Sequence, residues 1–267
     1  MIVVKIGGAS GVNLAGVCAD VAALAAQQKP VIVVHGGSAE TNEISTQLGH
    51  PPRFLTAVSG FTSRYTDRTT LEIFVMVTAG KINTLIVEQL QRAGANAFGL
   101  TGLDGRLMLA RRKDAIRVVE NGRQRMVRDD FTGKIESVNL DLLNLLLGQG
   151  FVPVIAPLAL SPAGEALNVD ADRAAAMVAG ALQAEHLILL TNVPGLMKNF
   201  PDETTLIPRI EKADLEQAMT FAEGRMKKKV LGAWEGLERG VKQVTIADGR
   251  VTSPLFNALA GHGTLIV

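Results

Sequence analysis

Residues 2–8, Ile2-Val3-Val4-Lys5-Ile6-Gly7-Gly8, decide how the rest of the chain is read. The apolar residues on either side of Lys5 suit a strand covered on both faces, as in a parallel sheet. A lysine so close to a core is costly unless it lies at the strand's end and meets an anion there. Gly7 and Gly8 would let backbone N–H groups approach that anion with no Cβ in the way. An ordinary edge strand with a snorkelling lysine and a glycine turn fits these seven residues as well.

The next fifty residues narrow the choice. Residues 11–28 are alanine-rich with helical spacing, Pro30 stops that helix, and Val31-Ile32-Val33-Val34 supplies a second apolar run. Such a βαβ unit implies a right-handed crossover and a parallel sheet. The second strand also ends in glycines, His35-Gly36-Gly37-Ser38, before a polar segment, Glu40 to Leu48, that can start a helix. Two adjacent strands then end in glycine loops on the edge where open α/β sheets bind ligands. Neither loop reads G-x-G-x-x-G or G-x-x-x-x-G-K-[ST], so a phosphate site here is of another kind.

Composition bounds the class. The 267 residues are 47% hydrophobic and 20% charged, which suits one large α/β domain or two intimate lobes. No Pro/Gly/Ser linker divides them, so both halves are expected to share one sheet. The balance of 27 Lys+Arg against 26 Asp+Glu excludes a generally nucleic-acid-like surface. Cys18 is the sole cysteine, set among Leu14, Val17, Val21 and Leu24, so it reads as packing, with no disulfide. The four histidines lack zinc spacing, and no metal site is expected. No apolar run approaches a membrane span and Met1 leads directly into a strand, so a cytoplasmic protein with no membrane partner is expected.

Further along, residues 49–68 read as irregular, with Arg53, Arg64 and Arg68 able either to bind carboxylates or to lie in solvent. Residues 69–93 predict a long helix, and Ala97 to Leu100 a third buried strand. From Arg106 to Arg128 the period changes to two, with Asn121-Gly122 as a hairpin turn. This predicts two or three antiparallel strands laid over the main sheet. The segment carries eight basic residues against two acidic ones, a net of +6 in a chain of net +1. That concentration suits steering toward an acidic partner, or a solvated hairpin protected from edge aggregation. It lacks the aromatic residues that stack nucleic-acid bases, so no nucleic acid is expected.

Residues 139–148 predict a helix and 151–155 a strand. Asn168, Asp170 and Asp172 then alternate and could project together, although Asp172 could equally cap the helix beginning at Arg173. Leu187 to Leu190 reads as a strand running into a turn-forming loop from Thr191 to Gly195. Residues 211–222 read as helical. Met226-Lys227-Lys228-Lys229-Val230 opens another helix, in which two of the lysines are expected to be surface charges. Val244 to Ala247 and Leu265 to Val267 complete about eight strands.

Taken together, K-I-G-G at 5–8, H-G-G at 35–37, Arg64, N-V-D-A-D at 168–172 and the M-K-K-K-V segment resemble the amino acid kinase family over essentially the whole chain. Within it, His35-Gly-Gly-Ser-Ala-Glu-Thr-Asn42, Gly49-His-Pro-Pro-Arg-Phe-Leu55 and Tyr65-Thr-Asp-Arg-Thr-Thr-Leu-Glu-Ile-Phe74 are similar to the branch that phosphorylates a carrier-bound amino acid. N-Acetylglutamate kinases, the alternative, typically read H-G-G-G-P where this chain has His35-Gly36-Gly37-Ser38-Ala39.

The resemblance implies a three-layer αβα sandwich with a mainly parallel central sheet plus an antiparallel β-hairpin region. It would be a single domain, 1–267, with an acceptor-binding lobe at about 1–160 and an ATP-binding lobe at about 161–267. It implies transfer of ATP's γ-phosphoryl group to the side-chain carboxylate of carrier-bound 2-aminoadipate, or glutamate, for lysine or arginine biosynthesis. A carboxylate is already ionised at neutral pH, so no general base is required. By this resemblance Lys5 and Lys229 neutralise the phosphoryl group from opposite sides, Asp172 holds both lysines, and amides of Gly8, Gly36 and Gly37 donate to its oxygens. Arg64 and Asn168 would fix the substrate's α-carboxylate and amide. The loop with Thr191, Asn192, Gly195 and Lys198 would lie along the nucleotide, and Mg²⁺ would come with ATP. Asp170, often asparagine in related kinases, has no assigned role. Carriers of the LysW type are small and acidic, which makes segment 106–128 the expected docking surface. Relatives are commonly homodimers, and feedback through a carboxyl-terminal regulatory extension is not expected.

Overall fold

The computed structural model describes residues 1–58, 60, 62–112, 115–120 and 123–267. Strand β1 (Ile2–Ile6) is buried along its whole length because its alternate side chains enter two different cores. Ile2, Val4 and Ile6 join one cluster and Val3 the other. Helix α1 (Leu14–Ala26), capped by the Asn13 side chain, leads to β2 (Val31–His35) and α2 (Ser38–Gln47). A hairpin follows, β3 (Phe54–Ala57) and β4 (Thr62–Arg64). Next is one helical rod made of α3 (Arg68–Val75), a π-helical stretch (Met76–Asn83) and α4 (Thr84–Arg92).

Strand β5 (Ala97–Thr101) precedes β6 (Met108–Arg112), β7 (Ile116–Glu120), β8 (Arg123–Val127) and β9 (Gly133–Val138). After α5 (Leu140–Gly148) come β10 (Val152–Ala156), β11 (Leu158–Leu160), β12 (Ala166–Asn168) and α6 (Ala171–Ala181). The rest comprises β13 (His186–Thr191), β14 (Arg209–Ile210), α7 (Leu215–Phe221), α8 (Arg225–Glu238), β15 (Gln243–Asp248), α9 (Pro254–Leu259) and β16 (Thr264–Ile266).

Eight strands form the central sheet in the order β14-β16-β15-β13-β1-β2-β10-β5, parallel except between β15 and β16. Helices α1, α4 and α9 cover one face; α5, α6 and α8 cover the other. This is the αβα sandwich expected. The first half of the chain builds outward from β1 through β2, and the second half through β13, so the winding reverses at β1. Ligands of such sheets bind beyond the carboxyl ends of the strands at that reversal, which is where Lys5 and the glycines lie.

Several expectations need correction. Residues 49–68 are not irregular throughout: β3 and β4 pair with β7 and β8 in a separate four-stranded sheet. Segment 106–128 is not laid over the main sheet, because its strands divide between that sheet and a second one, β12-β11-β6-β9. The Asn121-Gly122 turn lies outside the described residues. Strand β5 is the sheet's edge, with Phe98 and Gly99 exposed, and is not a buried strand. The 25-residue rod Arg68–Arg92 is, by length and composition, apolar enough to cross a membrane, contrary to the reading of its sequence. Here Leu71, Phe74, Val77, Ile86 and Leu90 bury one side of it in the protein.

Two histidines are buried on the strands that flank β1, His186 on β13 beside Ile2 and His35 on β2 beside Ile6, at opposite ends of that strand. Burial pushes each imidazole down to about 4, His35 with help from the Lys5 charge. The unfolded chain therefore binds protons near 6.5 that the folded one refuses until near 4. Stability is fully present above about pH 6.5 and falls as pH drops toward 4, with a slope approaching two protons, about 2.7 kcal/mol per pH unit. Urea unfolding between pH 5 and 7.5 measures this, and a flat profile contradicts it.

Candidate active site

The alternation that sends Val3 toward α6 and α8 sends Lys5 the same way. Its Nζ lies 2.8 Å from Asp172 Oδ1, and Lys229 Nζ donates to both Asp172 oxygens at 3.0 and 3.1 Å. The three residues are 4%, 7% and 7% exposed in the order Lys5, Asp172, Lys229, so each charge depends on the others in place of water. Asp172 does not cap its helix. Asp170 does, accepting from the amides of Asp172 and Arg173 at 3.0 and 3.2 Å, and this frees the Asp172 carboxylate to face the lysines. Lys228 lies 3.6 Å from Asp170, and Lys227 is exposed. A two-pronged Arg173–Glu235 ion pair ties α6 to α8, and Gly232 lets the helices approach, since a Cβ there would meet Asp172 O at 3.3 Å.

Burial alone would raise the Asp172 carboxyl, but the ammonium groups of Lys229 and Lys5 outweigh it and hold it well below the usual carboxylate range. Burial pushes the Lys229 ammonium down to about 8, with Asp172 opposing and Lys5 reinforcing the shift. Two ammonium groups share one carboxylate, leaving a buried charge of +1. An uncompensated charge away from water is unfavourable, so an arriving anion is stabilised.

The glycine loops converge on this cluster. A Cβ on Gly8 would lie 2.5 Å from Gly37 N and 2.8 Å from Ser38 N, and one on Gly36 would lie 2.8 Å from Gly8 N. Only residues without a Cβ let these two backbones pass so closely. The loops are also stitched: Gly8 O accepts from Ala39 N at 2.8 Å and from Ser38 Oγ at 3.1 Å. Helix α2 starts here, so its positive end faces the same space.

Arg64 alone of the three loop arginines is buried; its Nη2 donates to Asn42 Oδ1 at 2.6 Å and Ser38 O at 3.2 Å. Arg53 lies over the Tyr65 ring and Arg68 pairs with Glu72 in solvent. Asn168 Nδ2 donates to Thr66 Oγ1 at 3.0 Å, and Thr66 Oγ1 donates to Arg64 O at 3.3 Å, so a buried threonine joins the two predicted acceptor residues. Thr191 is buried at the end of β13, next to β1, with Asn192 exposed beyond it. Gly195 is filled around by Thr264 Oγ1 and Leu206, which accounts for its lack of a side chain by packing. Lys198 is exposed, its amide bonded to Thr205 O at 3.0 Å. Among the described residues no group of three or more His, Cys, Asp or Glu is arranged to hold a metal.

The sequence model of the amino acid kinase family matches residues 1–248. The chain belongs to the amino acid kinase family. Over 266 residues it is 53% identical to a protein from Deinococcus radiodurans named [LysW]-aminoadipate kinase, covering 100% of this chain and 91% of that one. Over 268 residues it is 51% identical to a Thermus thermophilus protein of the same name, covering 100% of both. Among solved structures, N-acetylglutamate synthase from Neisseria gonorrhoeae, complexed with coenzyme A and N-acetyl-glutamate, superimposes with a TM-score of 0.81 at 26% identity. That match covers 100% of this chain and 59% of the synthase. The enzyme is accordingly a phosphotransferase.

In this amino acid kinase, sequence reasoning passed over Thr66, Asn83 and Asp130, which accepts from Thr66 N at 3.4 Å and Thr132 N at 2.7 Å. They are small polar residues in loops or mid-helix, with no periodic signal. The Lys5–Asp172–Lys229 cluster predicts an asymmetry in stability. Replacing Asp172 by Asn leaves two buried ammonium groups facing each other and should cost roughly 3–5 kcal/mol. Lys5→Met leaves a neutral Asp172–Lys229 pair and should cost clearly less. Chemical denaturation of the two variants side by side checks this; equal losses contradict it.

Proposed function

We propose that this kinase transfers the γ-phosphoryl group of ATP to the side-chain carboxylate of 2-aminoadipate, or of glutamate, held by its amino group on a small acidic carrier of the LysW type. The product is an acyl phosphate on the route to lysine, or to arginine where glutamate is the acceptor. The observation that carries the reading is the buried +1 cluster of Lys5, Asp172 and Lys229 where the two glycine loops meet, in a chain about half identical to kinases named for that substrate.

A carboxylate oxygen attacks the γ-phosphorus, the bond to the β-γ bridging oxygen breaks, and ADP leaves with that electron pair. No proton needs to move, so catalysis consists of bringing two anions together and stabilising the charge on the transferring group. Lys5, beside the acceptor-side loops, meets the attacking side, and Lys229, on α8, the leaving side. Asp172 keeps the two ammonium groups apart and aimed. Amides of Gly8, Gly36 and Gly37 donate to phosphoryl oxygens, while Arg64 and Asn168 hold the acceptor's α-carboxylate and amide. The acceptor lobe spans about 1–160 and the ATP lobe about 161–267, with Thr191, Asn192, Gly195 and Lys198 along the nucleotide. Mg²⁺ would come with ATP and be held mostly by phosphate oxygens, since the Asp172 carboxylate is already engaged by two lysines. A cytoplasmic homodimer fits the reading.

The carrier would dock on the basic segment, but not through every residue of it. Arg112 is committed internally, to Asp130 O, Glu165 and the Phe131 ring, and Arg111 pairs with Glu136. Lys113 lies outside the described residues. Arg117 and Arg128 are exposed, and pairing of Thr56 with Val119 puts Arg117 on the sheet face that carries Arg64. The double variant Arg117→Glu/Arg128→Glu should raise KM for the loaded carrier about tenfold or more at low salt and hardly change KM for ATP. An unchanged carrier KM contradicts this docking surface.

Free N-acetylglutamate is the second reading, favoured by the likeness to N-acetylglutamate synthase. Trapping the acyl phosphate with hydroxylamine distinguishes them. We expect hydroxamate with aminoadipate- or glutamate-loaded carrier and little with free N-acetylglutamate; comparable kcat/KM for the free amino acid overturns the carrier reading.

A further inference from the structure

Behind the second glycine loop lies a buried polar link to the π-helical stretch. Asn83 Nδ2 lies 2.8 Å from Val154 O on β10, 3.5 Å from Leu100 O on β5 and 3.1 Å from His35 Nε2 on β2. Carbonyls only accept, so the amino end of Asn83 must face all three, and His35 Nε2 must be an acceptor. The imidazole proton then sits on Nδ1, which donates to Gly36 O at 3.0 Å. His35 is fully buried and Lys5 lies near it, which keeps the ring neutral. The link has its own space: a Cβ on Gly99 would meet Asn83 Oδ1 at 2.3 Å.

The helix geometry matches. In an i→i+5 turn, Thr78 and Asn83 come round to the same side, whereas an α-helical turn would rotate Asn83 away from Thr78. Thr78 and Ile82 in the same stretch wall Gly37, where a Cβ would meet each at 2.8 Å. The Gly36 carbonyl and the Gly37 N–H belong to one planar peptide. Fixing the carbonyl toward His35 therefore turns the N–H the other way, into the space beside Gly8. Among the described residues no protein group accepts from that N–H.

We infer that Asn83 and His35 are positioning residues for phosphoryl transfer: through the Gly36 carbonyl they set the plane of the Gly36–Gly37 peptide and aim the Gly37 N–H at the transferring group. The inference rests on the kinase reading above. Asn83 touches no reactant and acts through His35.

Long-range ¹H–¹⁵N correlation spectra of ¹⁵N-histidine-labelled wild type, with His35 assigned by comparison with His35→Gln, read the tautomer at pH 7. The expected result is a proton on Nδ1, and a proton on Nε2 overturns the inference whatever the variants do. Asn83→Asp keeps the shape and removes the donor; Asn83→Ser serves if the buried carboxylate prevents folding. A folded variant should lose the wild-type tautomer signature and roughly 10- to 100-fold in kcat, less than the roughly 10²–10³ that outright removal of one such donor costs, with both KM values within about threefold. Unchanged kcat, or a kcat loss with the His35 signature intact, overturns it. Wild type that does not phosphorylate the loaded carrier would sink the functional reading instead, and the tautomer result would stand apart from it.

Discussion

One carboxylate shared by two buried ammonium groups is the interaction on which the rest of this kinase depends. Asp172 comes from the first turn of α6, Lys5 from the centre strand of the sheet and Lys229 from α8, so the cluster pins two helices to the strand where the winding reverses. It is incomplete by one negative charge. In water that deficit would be trivial; among groups less than a tenth exposed it is a standing preference for an anion. The same arrangement that is electrostatically unfavourable by itself prepares the site for a transferring phosphoryl group.

The surrounding structure reads as provision for that cluster. Asp170 takes over the capping of α6, so Asp172 is spared for the lysines. The Arg173–Glu235 pair and Gly232 hold α6 against α8 at the distance the Lys229–Asp172 bond requires. Opposite them, Gly8 and Gly36 interlock, and the π-helical stretch backs the loop with Thr78, Ile82 and Asn83. The acceptor side is less rigidly built: one threonine joins Arg64 and Asn168, which stand on two small sheets that are separate from each other and from the central one.

Where sequence reading failed, it failed for physical reasons. The hairpin of β3 and β4 hides because it follows Pro51-Pro52 and its strands, four and three residues long, are too short to carry a sustained alternation. Asp170 and Asp172 are equivalent as helix starters in sequence, and only the position of the lysines decides which one caps. The eight basic residues of 106–128 look alike in one dimension, yet Arg112 is consumed by Asp130, Glu165 and Phe131 while Arg117 stays exposed.

The sequence by itself determined the parallel α/β sheet, the two glycine loops at one edge and the residue types for an anion site. These follow from local constraints: both-face burial demands continuous apolar strands, and close backbone approach demands glycine. Resemblance then added Lys229 and Asp172 to Lys5. Tertiary structure alone decided that Lys5, Asp172 and Lys229 share one buried carboxylate, that Thr66 joins Asn168 to Arg64, and that Asn83 reaches His35 across 48 residues. Such links depend on which side chains the crossovers and helix packing bring within about 3 Å, and no spacing along the chain records that distance.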